Sequence, residues 1–510
     1  MSDAERIPGP RTEPIADDEL PGLFDHLARH ATLIVAVSGG ADSTALMHLL
    51  VRWAEFRTRG TLAQSRHGKQ SRHGSHPAEF SPSPKIIAAT VDHGLRPEAA
   101  GEAAAVGAQA AMLGIAHHML RWLDQKPATA IQATARAARY QLLETLAADF
   151  PGAALVTAHH RDDQAETVLM RLARGSGVDG LAGISPSRPA GSMAHAGFPV
   201  ARERPLLGLA KARLVATLEA RHITWCKDPS NDDPAFERVR WRQAWPSLLE
   251  LGLTSDAVAR AALRLERARQ ALESLTGAAW SRLADVHHGA YASLDDGQFA
   301  AEPEEIRLRL LSRALTAFGG TGQAPSLSQA EELLAGLVAG TFERRTLAGC
   351  LIERTSGGIQ VLREPGRLGL PEIFIAPGET VIWDNRFEVR LADMPTGPAW
   401  GGPASGGLVS GGLALGSLAL GGLAAGVAEP HAAGGIVRGL GAEGLAALRE
   451  KLDALPLPAR VAVTLPSFWS QGRLVAVPHL GPHLRPHPGP HLEASRPGPT
   501  VPRFTARFLW

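Results

Sequence analysis

The chain has 510 residues, 45% of them hydrophobic and 20% charged, with a formal net charge of +1. That length fits about three domains rather than one core, and so small a net charge excludes a global field that would draw nucleic acid, leaving only local basic patches for such binding. Its two cysteines, Cys226 and Cys350, stand too far apart for a disulfide framework or a metal-spaced pair; with a polar start and no apolar run of membrane-spanning length, a cytoplasmic protein with no membrane partner is expected.

Residues 1–28 read as a loose, Pro-containing lead-in with a short helix over Leu20–His30. Next, Thr32-Leu-Ile-Val-Ala-Val37 is an apolar, β-branched run that predicts a buried strand, and Thr44 to Leu50 opens a helix behind Asp42 and Ser43, residue types that cap helices. Between them lies Ser38-Gly39-Gly40-Ala41-Asp42-Ser43. Glycines there let the backbone approach a ligand, and the free N–H groups and positive end of the new helix point at the same place, which makes a phosphate site. No Lys sits in the loop, so the phosphate charge falls to backbone donors, the Ser38 and Ser43 hydroxyls, and a metal, Mg2+, near Asp42.

Residues 57–85, with Ser-Arg-His-Gly written at 65 and again at 71, read as an exposed insertion. Strands over Ile86–Val91, Ile115–Leu120 and Ala153–Ala158 alternate with helices over Glu98–Leu113 and Thr129–Ala148. This α/β alternation predicts a Rossmann-like parallel sheet with helices on both faces over residues 29–245. Ligands of such sheets sit at the carboxyl ends of the strands, where the glycine turn, Asp92–Arg96 and His159–Glu166 all fall. Apolar residues at helical spacing (Val258, Ala262, Leu265, Leu272, Leu275) predict a helical domain over 246–340. A smaller mixed α/β region over 341–510 follows, with strands at Gly358–Arg363, Glu379–Trp383 and Phe387–Arg390, a Gly-rich insertion over 400–436 and a His/Pro-rich tail.

If a helix starts directly after the fourth strand, His159, Asp163 and Glu166 share one face of its first turns, where they can hold an ammonium group or a metal ion. The basic candidates are Arg136 and Arg139, one turn apart, then Arg202, Arg204 and Lys211, and Arg238, Arg240 and Arg242. Guanidinium groups clamp phosphates bidentately, which suits either a triphosphate or an RNA backbone.

The loop Ser38–Ser43, Asp92–Arg96, Ala135–Tyr140, the stretch Thr157–Ile184, Arg204–Leu207 and Trp225–Asn231 stand in order over roughly residues 30 to 245. Together they closely resemble the tRNA(Ile)-lysidine synthetase family of N-type ATP pyrophosphatases. The resemblance implies a ligase that uses ATP to adenylate the C2 oxygen of the wobble cytidine in the CAU-anticodon isoleucine tRNA, after which the ε-amine of free L-lysine displaces AMP. The product, lysidine, pairs with A instead of G and changes the tRNA from methionine to isoleucine identity. By the same resemblance Ser38 to Ser43 bind ATP, and Asp42, Arg139, His159, Asp163 and Glu166 serve catalysis. Asp163 and Glu166 hold the lysine, His159 is a candidate base for its amine, and Arg204, Lys211, Arg238 and Arg240 meet the tRNA. A homodimer is one option for the assembly. Two departures stand out: Asp92 where members commonly carry Asn, and Val239 where an Arg-Asn pair is expected. The alternatives are a tRNA base thiolase of the same ATP class, for which the cysteine pairs are missing, and a non-catalytic, nucleotide-gated RNA-binding module.

Overall fold

The computed structural model describes residues 12–67, 83–94, 99–123, 131–190, 200–226, 237–366, 369–392, 434–448, 457–480 and 504–510. The Gly-rich segment to residue 433, most of the His/Pro tail, Arg96 and Lys227–Asp232 lie outside them. The chain divides into two compact units: Met1–Arg282 with Glu304–Arg309 and Ser326–Glu331, and Leu283–Pro303 with Leu310–Pro325 and Glu332–Trp510.

In the first unit, a short helix α1 (Leu20–Phe24) leads into the strand β1 (Thr32–Ala36) and the long helix α2 (Ala41–His67). The segment expected as a single helix over Leu20–His30 is split, because the chain tightens into 3-10 turns over Asp25–Arg29. The alternation continues through β2 (Lys85–Asp92), α3 (Ala99–Met112), β3 (Ala116–Arg121), α4 (Ile131–Ala148), β4 (Ala153–Val156), α5 (Arg161–Leu172), α6 (Val178–Leu181), β5 (Ser187–Arg188), β6 (Ala201–Glu203), α7 (Lys211–Glu219), α8 (Glu237–Glu250) and α9 (Ser255–Leu283). α2 runs on to His67, so the first part of the segment expected as an exposed insertion over 57–85 is helical. Once a turn is nucleated, adding helix-competent residues such as Arg57, Leu62 and Ala63 costs little.

The strands form one six-stranded sheet of order β3-β2-β1-β4-β6-β5. All neighbours are parallel except the short edge strand β5, which runs antiparallel to β6. Side chains of β1 alternate between two cores. Leu33 and Val35 join α2, α3 and α7 on one face, and Ile34 joins Tyr140, Leu143 and Ala147 of α4 on the other. A strand covered on both faces has no polar side, which is why its sequence reads as a continuous apolar run. The chain passes from β1 outward through β2 to β3 and then crosses back to place β4 on the other side of β1, so a crevice opens beyond the carboxyl ends of β1 and β4.

Among the described residues of the second unit the strand pairs are antiparallel, arranged as sheets of five, four and three strands. Its core holds a buried charge cluster in which Asp384 Oδ2 accepts from Arg363 Nε at 2.9 Å and Arg386 Nε at 2.7 Å. Among the described residues no helix is long and apolar enough to cross a membrane.

Leu33→Ala and Ile34→Ala are each expected to lower unfolding stability by about 2–5 kcal/mol, since both side chains are fully buried in different cores. Denaturant titration measures this, and a loss below about 1 kcal/mol for either would contradict the two-faced packing of β1.

Candidate active site

Three segments meet at the crevice. The first is the glycine turn after β1. Gly39 has φ +85°, a left-handed conformation that side chains rarely adopt, and a Cβ there would touch Cys226 Sγ at 3.4 Å. Cys226 N–H donates to the Gly39 carbonyl at 2.9 Å, so the chain around Trp225 and Cys226 braces the turn from outside. Inside it, Ser38 N–H donates to Ser43 Oγ at 3.1 Å and that hydroxyl donates to the Gly40 carbonyl at 3.1 Å. Thr44 N–H bonds back to the Gly40 carbonyl at 3.0 Å, as a helical amide does. The amides of the preceding first turn have no intrahelical acceptor, the feature that lets the start of a helix meet an anion.

The second segment follows β4. His160, not His159, caps α5: its Nδ1 accepts from Asp162 N–H at 3.2 Å, and its own N–H donates to Asp163 Oδ2 at 3.2 Å. His159 therefore stands ahead of the helix and its cap, and the expectation that it shares a helical face with Asp163 and Glu166 is corrected, because the helix begins only at Arg161. Its Nδ1 lies 2.9 Å from Thr157 Oγ1. Burial pushes the His159 imidazole down to about 3, a direction that Arg204, Arg136 and Arg238 reinforce and Asp163 opposes. Such a ring is neutral at physiological pH and too weakly basic to take a proton from an ammonium group, which argues against the base role expected for it.

His160 is the residue that sequence reasoning missed. It is 1% exposed, and its Nε2 lies 3.5 Å from Asp42 Oδ2 and 3.4 Å from Asp163 Oδ2. Burial lowers its pKa, but Asp42, Asp163 and Asp162 outweigh burial and raise it. Since Nδ1 accepts a backbone N–H, the proton of the neutral ring sits on Nε2, facing the two carboxylates. Asp42 Oδ2 also lies 3.4 Å from Lys211 Nζ, while Lys211 N–H donates to Asp162 Oδ2 at 2.9 Å. Burial alone would push the Asp42 carboxyl up, and His160 with Lys211 hold it below the usual carboxylate range. Asp42 Oδ1 is buried without a hydrogen-bond partner among the described residues. An ionised carboxylate with one unclaimed oxygen beside a phosphate cradle fits Mg2+, which takes one or two carboxylates and completes its shell with phosphate oxygens and water. By contrast, no trio of His, Cys, Asp and Glu among the described residues is placed to hold a metal, so a metal bound by His159, Asp163 and Glu166 alone is not supported.

The third segment is α8. Arg242 Nε donates to Glu166 Oε1 at 2.6 Å, Arg238 Nε lies 3.2 Å from Glu166 Oε2, and Arg242 Nη2 lies 3.7 Å from Asp163 Oδ1. Glu166, with 5% of its side chain exposed, has its carboxyl pushed up by burial against the opposing pull of Arg242. Neither its pairing with Arg238 and Arg242 nor the part played by Arg242 was foreseen.

The other basic residues sort into distinct surroundings. Arg139 is half-buried with its guanidinium 5.7 Å from the Tyr140 ring centre, and Arg136 lies 5.3 Å from the same ring. Arg204, expected at the tRNA surface, is only 7% exposed and donates to the Ser185 carbonyl at 2.8 Å, so it braces the crevice wall. Lys211 belongs to the Asp42 end, and Arg240 is exposed on α8. The two departures from the family pattern also find their places. Asp92 Oδ1 accepts from Gly94 N–H at 2.8 Å and shapes the turn after β2, while Val239 is buried, where an apolar side chain suits the packing.

A family model described as a PP-loop domain matches residues 13–248. A tRNA(Ile)-lysidine synthase from Bradyrhizobium sp. (strain BTAi1 / ATCC BAA-1182) is 41% identical over 375 residues, covering 69% of this chain and 96% of that one. Another, from Methylobacterium nodulans, is 42% identical over 344 residues, covering 66% and 91%. Among solved structures, a U34-tRNA thiolase from Methanococcus maripaludis with its [4Fe-4S] cluster aligns over 49% of this chain and 78% of that one, at 19% identity and a TM-score of 0.36.

His159 is expected to stay neutral in the folded protein from pH 8 down to about 5, read from its imidazole resonances by NMR. The unfolded chain takes up this proton near 6.5, so the group's contribution to stability is complete above that pH and falls as the pH drops toward 3. An inflection near 6.5 in the native spectrum would contradict its burial.

Proposed function

The chain belongs to the tRNA(Ile)-lysidine synthase family, a group of ATP-using ligases built on a PP-loop domain, and we propose that it joins free L-lysine to C2 of the wobble cytidine of the CAU-anticodon isoleucine tRNA by way of an adenylated base. The proposal rests above all on one juxtaposition: His160 lies between Asp42 of the phosphate turn and Asp163 of α5, which brings a nucleotide half-site and a cation half-site into a single crevice.

In the first step the C2 oxygen of cytidine attacks the α-phosphorus of ATP, forming an O–P bond as diphosphate leaves. A carbonyl oxygen is a poor leaving group, and its conversion to an AMP ester makes displacement feasible. The amides at the start of α2 and the Ser38 and Ser43 hydroxyls cradle the phosphates, while Arg139 steadies charge on the transferring group. Asp42 would hold Mg2+, which supplies charge neutralisation to the diphosphate leaving group. In the second step the ε-amine of lysine forms the C–N bond at C2 and AMP departs. Asp163, backed by the negative charge of Glu166, positions the lysine; neutral His159 orients by hydrogen bonding through Thr157 instead of carrying a proton. The exposed Arg240 with Arg238 and Lys211 supplies local positive charge for the tRNA backbone, and a cytoplasmic setting follows from the tRNA substrate.

The cysteines weigh against thiolation. Cys226 packs on the Gly39 turn with its thiol pushed up by burial, and Cys350 is buried in the second unit with its thiol pushed up to about 12. Neither is a ready sulfur carrier.

Purified protein with ATP, Mg2+, isoleucine tRNA and labelled lysine is expected to place label in the anticodon. Asp163→Asn and Glu166→Gln are expected to cut kcat/KM for lysine by on the order of a hundredfold while changing ATP binding by less than about threefold. Equal loss of both would contradict the division into half-sites.

A further inference from the structure

Residues 13–19, part of the segment that reads from its sequence as a lead-in, form a strap across α2 and α7. The Ile15 side chain is buried in the core that also holds Leu33 and Val35 of β1, and the Ile15 N–H donates to Thr217 Oγ1 on α7 at 2.9 Å. From α2, Arg52 Nη2 donates to the Ile15 carbonyl at 3.3 Å and Arg52 Nε to Asp17 Oδ1 at 3.1 Å. From α7, Arg213 Nε donates to the Glu13 carbonyl at 3.1 Å, while its two terminal nitrogens donate to Glu19 Oε2 at 3.0 Å and Oε1 at 2.7 Å. That pairing of Arg213 with Glu19 is a bidentate fork, which fixes direction as well as distance.

The fork stands where a cation is otherwise unwelcome. Arg213 lies in the first turn of α7, two residues after Lys211, and positive charge there opposes the positive end of the helix. Each of the two cations is met by an acid from another element: Glu19 of the strap for Arg213, and Asp42 at the start of α2 for Lys211, with 3.4 Å between Lys211 Nζ and Asp42 Oδ2. The N-cap residue Ala210 offers no side-chain cap, so the turn is tied instead by the Lys211 amide on Asp162 at 2.9 Å and by the fork on the strap. Lys211 carries its charge on a flexible stem with 44% of the side chain exposed, and the place of α7 limits where that charge can go. We infer that Glu19 and Arg213 are positioning residues for the nucleotide half-site: through the strap they set the start of α7 against α2, and with it the Lys211 ammonium beside Asp42 and the phosphate turn. The inference rests on the reading of that turn as the ATP site, and the effect passes through Lys211. A charge held in place before the phosphates arrive needs no reorganisation when they do.

Calorimetric titration of the full chain with ATP, without tRNA or lysine, reads the effect apart from turnover. Glu19→Gln keeps the size of the side chain and removes its charge; it is expected to raise the Kd for ATP by roughly fivefold, with the KM for lysine at saturating ATP within about twofold of wild type. Arg213→Lys, which keeps a charge and loses the fork, is expected to raise the Kd by a smaller factor. Lys211→Met is expected to weaken ATP binding by roughly fivefold, and adding Glu19→Gln to it to change the Kd by less than about 1.5-fold, because both act through one contact. Should Glu19→Gln fail to fold, Arg213→Lys combined with Lys211→Met completes the same cycle. Leu143→Ala removes a buried side chain on the opposite face of the sheet; it is expected to lower the Tm and leave the Kd for ATP within about 1.5-fold of wild type. A Glu19→Gln protein with a lowered Tm and an unchanged Kd overturns the inference, since the strap would then serve stability alone. So does a full, additive loss in the Lys211→Met background, and so does a shift in tRNA affinity with none in ATP affinity. Failure of the wild-type protein to bind ATP would instead defeat the reading of the turn as the ATP site.

Discussion

One buried imidazole ties the two halves of the crevice together. His160 caps α5 through Nδ1 and offers Nε2 to Asp42 on one side and Asp163 on the other, at 3.5 and 3.4 Å. A 1% exposed ring among three carboxylates is costly to bury unless its charge pattern matches theirs, and the match holds only while the phosphate turn and the start of α5 keep their relative positions. The sheet supplies that constancy. β1 and β4 are adjacent and parallel, with Thr32 to Val35 in register with Ala153 to Val156, so the segments leaving their carboxyl ends emerge side by side.

The same logic explains why Glu166 is buried beside two arginines. A carboxylate withdrawn from water is tolerated when it is paired and hydrogen-bonded, and α8 brings the guanidinium groups of Arg238 and Arg242 to do this. The pairing fixes the position of Arg242 at the crevice edge. Charged groups held in this way need little reorganisation when a charged ligand arrives, which is the condition for electrostatic selectivity and for stabilising a transferring phosphoryl group. Lys211 plays a parallel part at the other end, where its backbone N–H binds Asp162 while its ammonium faces Asp42.

Much of this was legible in the sequence, and the reasons are physical. The strand, glycine turn and helix start at Thr32 to Leu50 agree in propensity, capping and spacing, so each level reinforces the same conclusion. The alternating strands and helices between residues 85 and 172 follow for the same reason, with ends displaced by a residue or two. What was not legible depended on a single residue of phase or on distant partners. His159 and His160 look equivalent in a doublet; only the position of the α5 cap decides which one is buried between carboxylates. Nothing local to Glu166 announces Arg242, 76 positions away. Arg204 shows how charge misleads, since a basic residue read as a surface contact is instead buried against the Ser185 carbonyl.

The central claim is that ATP energy is passed to the tRNA base before the amino acid takes part. Its most direct test is to incubate the protein with ATP, Mg2+ and isoleucine tRNA without lysine, isolate the RNA, and add lysine after ATP has been removed. The account predicts one AMP on the wobble cytidine by mass spectrometry, followed by its replacement with lysine in fresh enzyme without further ATP. Diphosphate exchange that requires lysine and proceeds without tRNA would mean that the amino acid is the group adenylated, and would contradict the account.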